Sequence, residues 1–131
     1  MQTYVPFASV KPWAGAVIAG LVVLFLVFDG VTKILRVAPV VEASKKLGLP
    51  AESLRSIGLV LLACTAIYAV PKTAVLGAIL LTGYLGGATA IHVRAESGWF
   101  PIVFSAGFGV LAWTGLLLRE PRLLATILHR W

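Results

Sequence analysis

Four long runs without a charged side chain decide what this chain can fold into. They cover Pro12 to Phe28, Ser56 to Pro71, Thr73 to Ile91 and Ser97 to Leu118. Each approaches the ~20 helical residues needed to cross a hydrocarbon layer about 30 Å thick. In hydrocarbon the backbone N–H and C=O groups of a segment have no water to turn to, so runs of this length resolve as helices. The predicted architecture is an all-α membrane protein, a four-transmembrane-helix bundle with spans at about 12–35, 54–70, 73–92 and 101–118. The whole chain, 1–131, reads as a single membrane domain. The first run follows Lys11 as a signal peptide would, but no small-residue cleavage site closes it before Asp29, so it is expected to stay in the mature protein.

Composition removes the alternatives. Sixty per cent of the residues are apolar and only 12% charged, about half the soluble norm of about 25%. With a mean hydropathy of +0.98, there is too little polar surface to cover a soluble enzyme, a disordered chain or a nucleic-acid domain. The 11 Lys and Arg against 5 Asp and Glu give a net charge of +6, but these charges sit between the apolar blocks and form no continuous basic stripe. They suit anionic lipid headgroups, so membrane lipids are expected partners and nucleic acid is not. The single cysteine, Cys64, excludes an internal disulfide, a paired-thiol redox centre and a cysteine-rich metal site. His92 and His129 fall at opposite ends of the predicted bundle, which argues against a haem held between them. No metal is expected.

The connections are set by punctuating residues. Pro71 and Lys72 leave room only for a tight turn, which makes the second and third spans antiparallel neighbours. Arg55 belongs to the start of the second span, its head reaching for the headgroups. The segment Val93 to Phe100 carries charge, glycine and an interfacial tryptophan, and Pro101 is placed in the first turn of the fourth span. Between the first two spans, Pro39 and the stop at Gly48 and Pro50 bracket a short interfacial helix at about 39–47. Its face of Val40, Ala43 or Ser44, and Leu47 either rests on the headgroup layer or caps the mouth of the bundle. The tail, 121–131, mixes apolar and basic residues at helical spacing and reads as an amphipathic segment on the membrane surface. For helix packing the clearest signal is Gly83, Gly87 and Ala90, a row of small residues on one face of the third span. Gly15 with Ala19, Ala16 with Gly20, and Ser105 with Gly109 repeat the four-residue spacing. Such rows let helix backbones approach closely where the hydrophobic effect between helices is absent.

This topology gathers almost every chemically interesting residue at one end. Asp29, Lys33 and Arg36 come from the first span, Ser53, Arg55 and Ser56 from the second, and Thr89, His92 and Arg94 from the third, with Glu96 beside them. The other end has Lys11, Lys72, Arg119, Arg122 and Arg130. If Trp13 marks an interface, Asp29 lies about one helical turn inside the hydrocarbon. A carboxylate costs roughly 2.5–3.5 kcal/mol at the bilayer centre and less near an end, so Asp29 should face the bundle and have a partner. Lys33, four residues on, is the nearest. Three readings of the group Asp29, Lys33, Arg36, Thr89, His92 and Arg94 stand side by side: a structural lock between the first and third spans, a polar mouth that holds a ligand above an apolar cavity, and a proton-moving pair in an isomerase or small transporter. No third orienting group for catalysis is identifiable, so catalytic residues are left unassigned and the protein is read as a binder before an enzyme.

The segment FDGVTKIL, Gly48 and Pro50, LGAILLTGYLGGATAIHVR and the closing WTGLLLREPRL together resemble the DoxX-like family. The resemblance covers most of the chain. It implies a small integral protein of a bacterial cytoplasmic membrane, with relatives tied to membrane redox systems such as a thiosulfate:quinone oxidoreductase, and a more distant relative that acts as an assembly chaperone for receptors. From it follow the expected ligand, a quinone or other lipid with no resident cofactor, and the expected partners, a redox protein or a second copy of the chain. A membrane scaffold with a purely structural polar group is the competing expectation. The clustered basic residues of the tail put both termini on the cytoplasmic side.

Overall fold

The computed structural model of the protein describes residues 12–129. Lys11, Arg130 and the last residue of the predicted tail lie outside the described residues. Six α-helices follow one another: α1 (Pro12–Leu35), α2 (Ala38–Lys46), α3 (Ser53–Ala69), α4 (Ala74–Arg94), α5 (Trp99–Arg119) and α6 (Pro121–His129), with a 3₁₀ turn at Pro71–Thr73 between α3 and α4. No strand occurs among the described residues. The helices at Trp13–Leu35, Pro71–Arg94 and Trp99–Arg119 are long and apolar enough to cross a membrane. The fourth, α3, has 17 residues, or about 25 Å of rise.

α1 packs on α3 and α5, and α4 packs on the same two. The ring order is therefore α1, α3, α4, α5, and α1 faces α4 across the diagonal. Leu26, Leu61, Leu81 and Leu116 are fully buried along the axis. The outside is as apolar as the inside: Leu21, Leu24, Phe28 and Val110 are all more than 60% exposed. A helix that is apolar all round needs hydrocarbon on its outer face.

Where the helices touch most closely, glycine is what lets them. A Cβ on Gly77 of α4 would stand 2.3 Å from the backbone of Tyr68 on α3. Gly30 and Gly58 cross α1 over α3, and Gly15 and Gly115 cross α1 over α5, where a Cβ on Gly115 would meet the Ala19 backbone at 3.0 Å. At the end of Gly15, Gly77 and Gly115, Tyr68 is fully buried and donates its hydroxyl to the Ala112 carbonyl at 2.6 Å, the partner a buried phenol needs. The Arg119 guanidinium stands 5.7 Å from the centre of its ring, within cation–π range. The packing role expected of Gly83, Gly87 and Ala90 is corrected here. All three are exposed, and a Cβ on Gly83 or Gly87 would meet nothing within 4 Å. No neighbouring helix comes close to these glycines; the residues α4 buries are Gly77, Ala78 and Leu81 with Ala74 and Leu85.

Three helix ends at the opposite pole share one construction. α1 closes with Val37 N–H donating to the Thr32 carbonyl and Arg36 N–H to that of Lys33, α2 with Leu49 to Ser44 and Gly48 to Lys45, and α4 with Ser97 to His92 and Glu96 to Val93. The left-handed residues that such ends require are Arg36 (φ 52), Gly48 (φ 77) and Glu96 (φ 53). Within α2, Ser44 is buried and lines a cavity together with Leu47. Of the two placements open to this helix, its inward face covers the mouth of the bundle.

Candidate ligand cavity at the polar end

Asp29 and Lys33 sit one turn apart on α1 and form an ion pair, the only one among the described residues. The spacing of four in the order acid then base is the favourable one on a helix. Lys33 also lies in the last turn of α1, where a cation meets the negative end of the helix dipole. With side-chain exposures of 19% for Lys33 and 32% for Asp29, the pair is half-buried and nearly neutral as a unit. It keeps most of its hydrogen-bonding capacity for whatever enters beside it.

What lies beside it is a cavity of about 260 Å³ between α1, α4 and α5. Each helix contributes a row of residues four apart. α1 gives Phe25, Asp29 and Lys33; α4 gives Tyr84, Ala88 and His92; α5 gives Phe100, Phe104 and Phe108. Residues at i, i+4 and i+8 stack along one side of a helix, so three such rows converge on one space. The rings form a wall: Phe25 stacks on Phe108 at 4.4 Å between centroids and meets Phe104 edge-on at 5.4 Å. The same lining carries polar side chains. Nδ1 of His92 is buried without a hydrogen-bond partner, and the Tyr84 hydroxyl makes no hydrogen bond among the described residues. Buried polar atoms without partners are uncommon and call for an explanation.

A second cavity of about 300 Å³ lies on the far side of the same group, between α3, α4 and the α2–α3 connection. Lys33, Tyr84, Ala88 and His92 line both spaces.

Of the residues singled out from the sequence, Asp29, Lys33 and His92 come together at this site. Thr89 does not join them. Its hydroxyl donates to the Leu85 carbonyl at 2.8 Å and lies 2.9 Å from Ser105 Oγ, which places it on the seam between α4 and α5. Arg36 and Arg94 are exposed and line neither cavity. Both stand at helix ends, and the left-handed turn at Arg36 leads the chain away from the bundle. A lock between α1 and α4 is not what the ion pair makes: both partners belong to α1, and α4 lies across the diagonal. Sequence reasoning missed Tyr84 and the four phenylalanines. The signal was present in the spacings 84, 88, 92 and 100, 104, 108, which pass for ordinary apolar periodicity until a neighbouring polar row gives them a direction. Among the described residues no group of three or more His, Cys, Asp or Glu side chains is placed to hold a metal ion.

An all-helical bundle with an apolar outer surface and an ion pair set into one end is a polytopic membrane protein. The chain belongs to the DoxX-like family, whose sequence pattern matches residues 17–115. The matched stretch includes Asp29, Lys33, Tyr84, His92 and the phenylalanine wall; α6 falls beyond it. No curated protein and no solved structure matches the chain.

Proposed function

We propose that this protein binds a lipophilic small molecule, quinone-like in having a flat head with oxygen acceptors, in the cavity between α1, α4 and α5. The observation that carries this reading is the surplus of unengaged donors facing an aromatic wall. Lys33 has hydrogens left after pairing with Asp29, Nδ1 of His92 is buried without a partner, and the Tyr84 hydroxyl makes no hydrogen bond among the described residues. A head bearing carbonyl or similar oxygens answers those donors, and the phenylalanine rings offer it a stacking surface. The near-neutral ion pair favours an uncharged head over a strongly anionic one. All four long helices, α3 included, are read as crossing the bilayer, 17 residues being the short end of the spanning range.

The test is native mass spectrometry with lipid extraction on protein purified in mild detergent, for the original chain, Asp29→Asn and Tyr84→Phe. A lipophile retained in stoichiometric amount by the original chain and depleted in both variants supports the reading and gives the ligand's mass. Ordinary bilayer lipids alone, in equal amounts in all three, would replace it with a scaffold that acts through partner proteins.

A further inference from the structure

The two cavities at the polar end differ in character. The first is walled by rings. The second is walled by Leu47, Leu49, Leu54, Ile57 and Ile91, with Gly83 and Gly87 as its floor. The side chains with unengaged donors, Lys33, Tyr84 and His92, stand on the wall that both share. The floor has a further property. A Cβ on Gly83 or Gly87 would meet nothing, so neither glycine is there to bring a helix close. What their missing side chains provide is free space directly beside the polar group.

We infer that the ligand carries a single flexible hydrocarbon chain, which leaves the aromatic cavity past Ala88 on the shared wall and lies over Gly83 and Gly87 in the aliphatic cavity beneath α2. This rests on the binding reading above and names the class of molecule it requires: one acceptor-bearing head on one chain. The volume bounds the length of chain sheltered. A methylene is close in size to a water molecule, whose share of liquid volume is about 30 Å³, so a space of about 300 Å³ shelters roughly ten of them, a decyl chain's worth. The head and chain directions follow from chemistry: the phenylalanine rings and Asp29 line one space, mainly aliphatic side chains line the other, and the donors stand between the two.

The experiment uses the full chain in lipid nanodiscs with a benzoquinone bearing a decyl chain tipped by a photoreactive diazirine, crosslinked peptides being located by mass spectrometry. The expected result is chain-tip labelling of the segments holding Leu47 to Ile57 and Gly83 to Ile91. Gly87→Leu, which fills the floor, should cut that labelling by about tenfold. Leu49→Trp fills the same space from the α2–α3 connection and should do likewise, and melting temperatures show that both variants are folded. Competition by unlabelled palmitate or by the unlabelled decyl quinone then tells a fatty-acyl source of the chain from a prenylated-ring source. Chain-tip labelling confined to lipid-facing residues of α1 and α5, and unchanged in both variants, overturns the inference while head-group protection at Phe104 keeps the binding site. Labelling no different from that of a phospholipid probe, at either end of the molecule, overturns both.

Discussion

The two poles of this bundle use the same residue for opposite ends. At the pole of Gly15, Gly115 and Gly77, each glycine holds a neighbouring backbone closer than a side chain comfortably allows. There Tyr68 is sealed in and hydrogen-bonded across to α5. At the pole of Asp29 and His92, Gly30 and Gly58 still bring α1 onto α3, but on α4 Gly83 and Gly87 hold nothing, and two cavities open beside them. In water this contrast would be weak, because burial of apolar area would pull the helices together at both poles. In lipid, association depends on close packing and on polar contacts. A bundle can therefore be welded on every helix at one pole and, at the other, welded between α1 and α3 while α4 stands beside open cavities, at little cost.

Substitution at the welded pole should have the largest effect. Gly77→Ala places a methyl group 2.3 Å from Tyr68 backbone atoms, and backbone cannot swing aside as a side chain can. Overpacking typically costs 1–3 kcal/mol, and here about 3 kcal/mol is expected, read as a lower midpoint of denaturant unfolding in mixed micelles. An unchanged midpoint would mean that the two poles are not different in kind. Next comes the ion pair. Asp29→Asn leaves Lys33 charged and half-buried without its counter-charge, which should cost about 2 kcal/mol, below the 3–5 kcal/mol seen for fully buried pairs because both groups retain exposure. Lys33→Met in the same chain should restore most of that loss. Failure of the double variant to recover would show that the carboxylate stabilises the fold through something other than Lys33.

How much of this was legible beforehand divides along the same line. The long apolar helices, the tight turn at Pro71 and the existence of the short helix α2 follow from runs of uncharged residues and from proline and glycine positions, because the membrane makes backbone satisfaction the dominant constraint. The Asp29 to Lys33 contact was legible because both residues belong to one helix. Contacts between helices were not. Gly83 and Gly77 are equally good small residues on α4, and which of them meets a neighbour depends on the rotation of that helix, which the apolar pattern leaves nearly undetermined when all faces are apolar. The same ambiguity hid Tyr84: its row becomes visible only once Asp29 and the phenylalanines of α5 are known to face it. Arg36 and Arg94 were drawn into the group by their position in the sequence, and the turns that end α1 and α4 carry them out of it.

The smallest effect is the one that most sharpens the contrast between the poles. Gly83→Ala adds the same methyl group as Gly77→Ala, on the same helix, into a space with no atom within 4 Å. No contact is strained, and the helix trades its poorest former apart from proline for its best. The intrinsic gain is up to about 1 kcal/mol in a solvated helix, and less is expected in lipid, where backbone hydrogen bonding already holds the helix together. The midpoint of unfolding should therefore stay level or rise slightly, while the same measurement on Gly77→Ala falls by several times as much. A clear drop for Gly83→Ala would carry a specific meaning. The α4 face would then be covered in the folded protein by a tightly fitted helix from a second copy, and the space beneath α2 would be an interface in place of a chain-binding cavity.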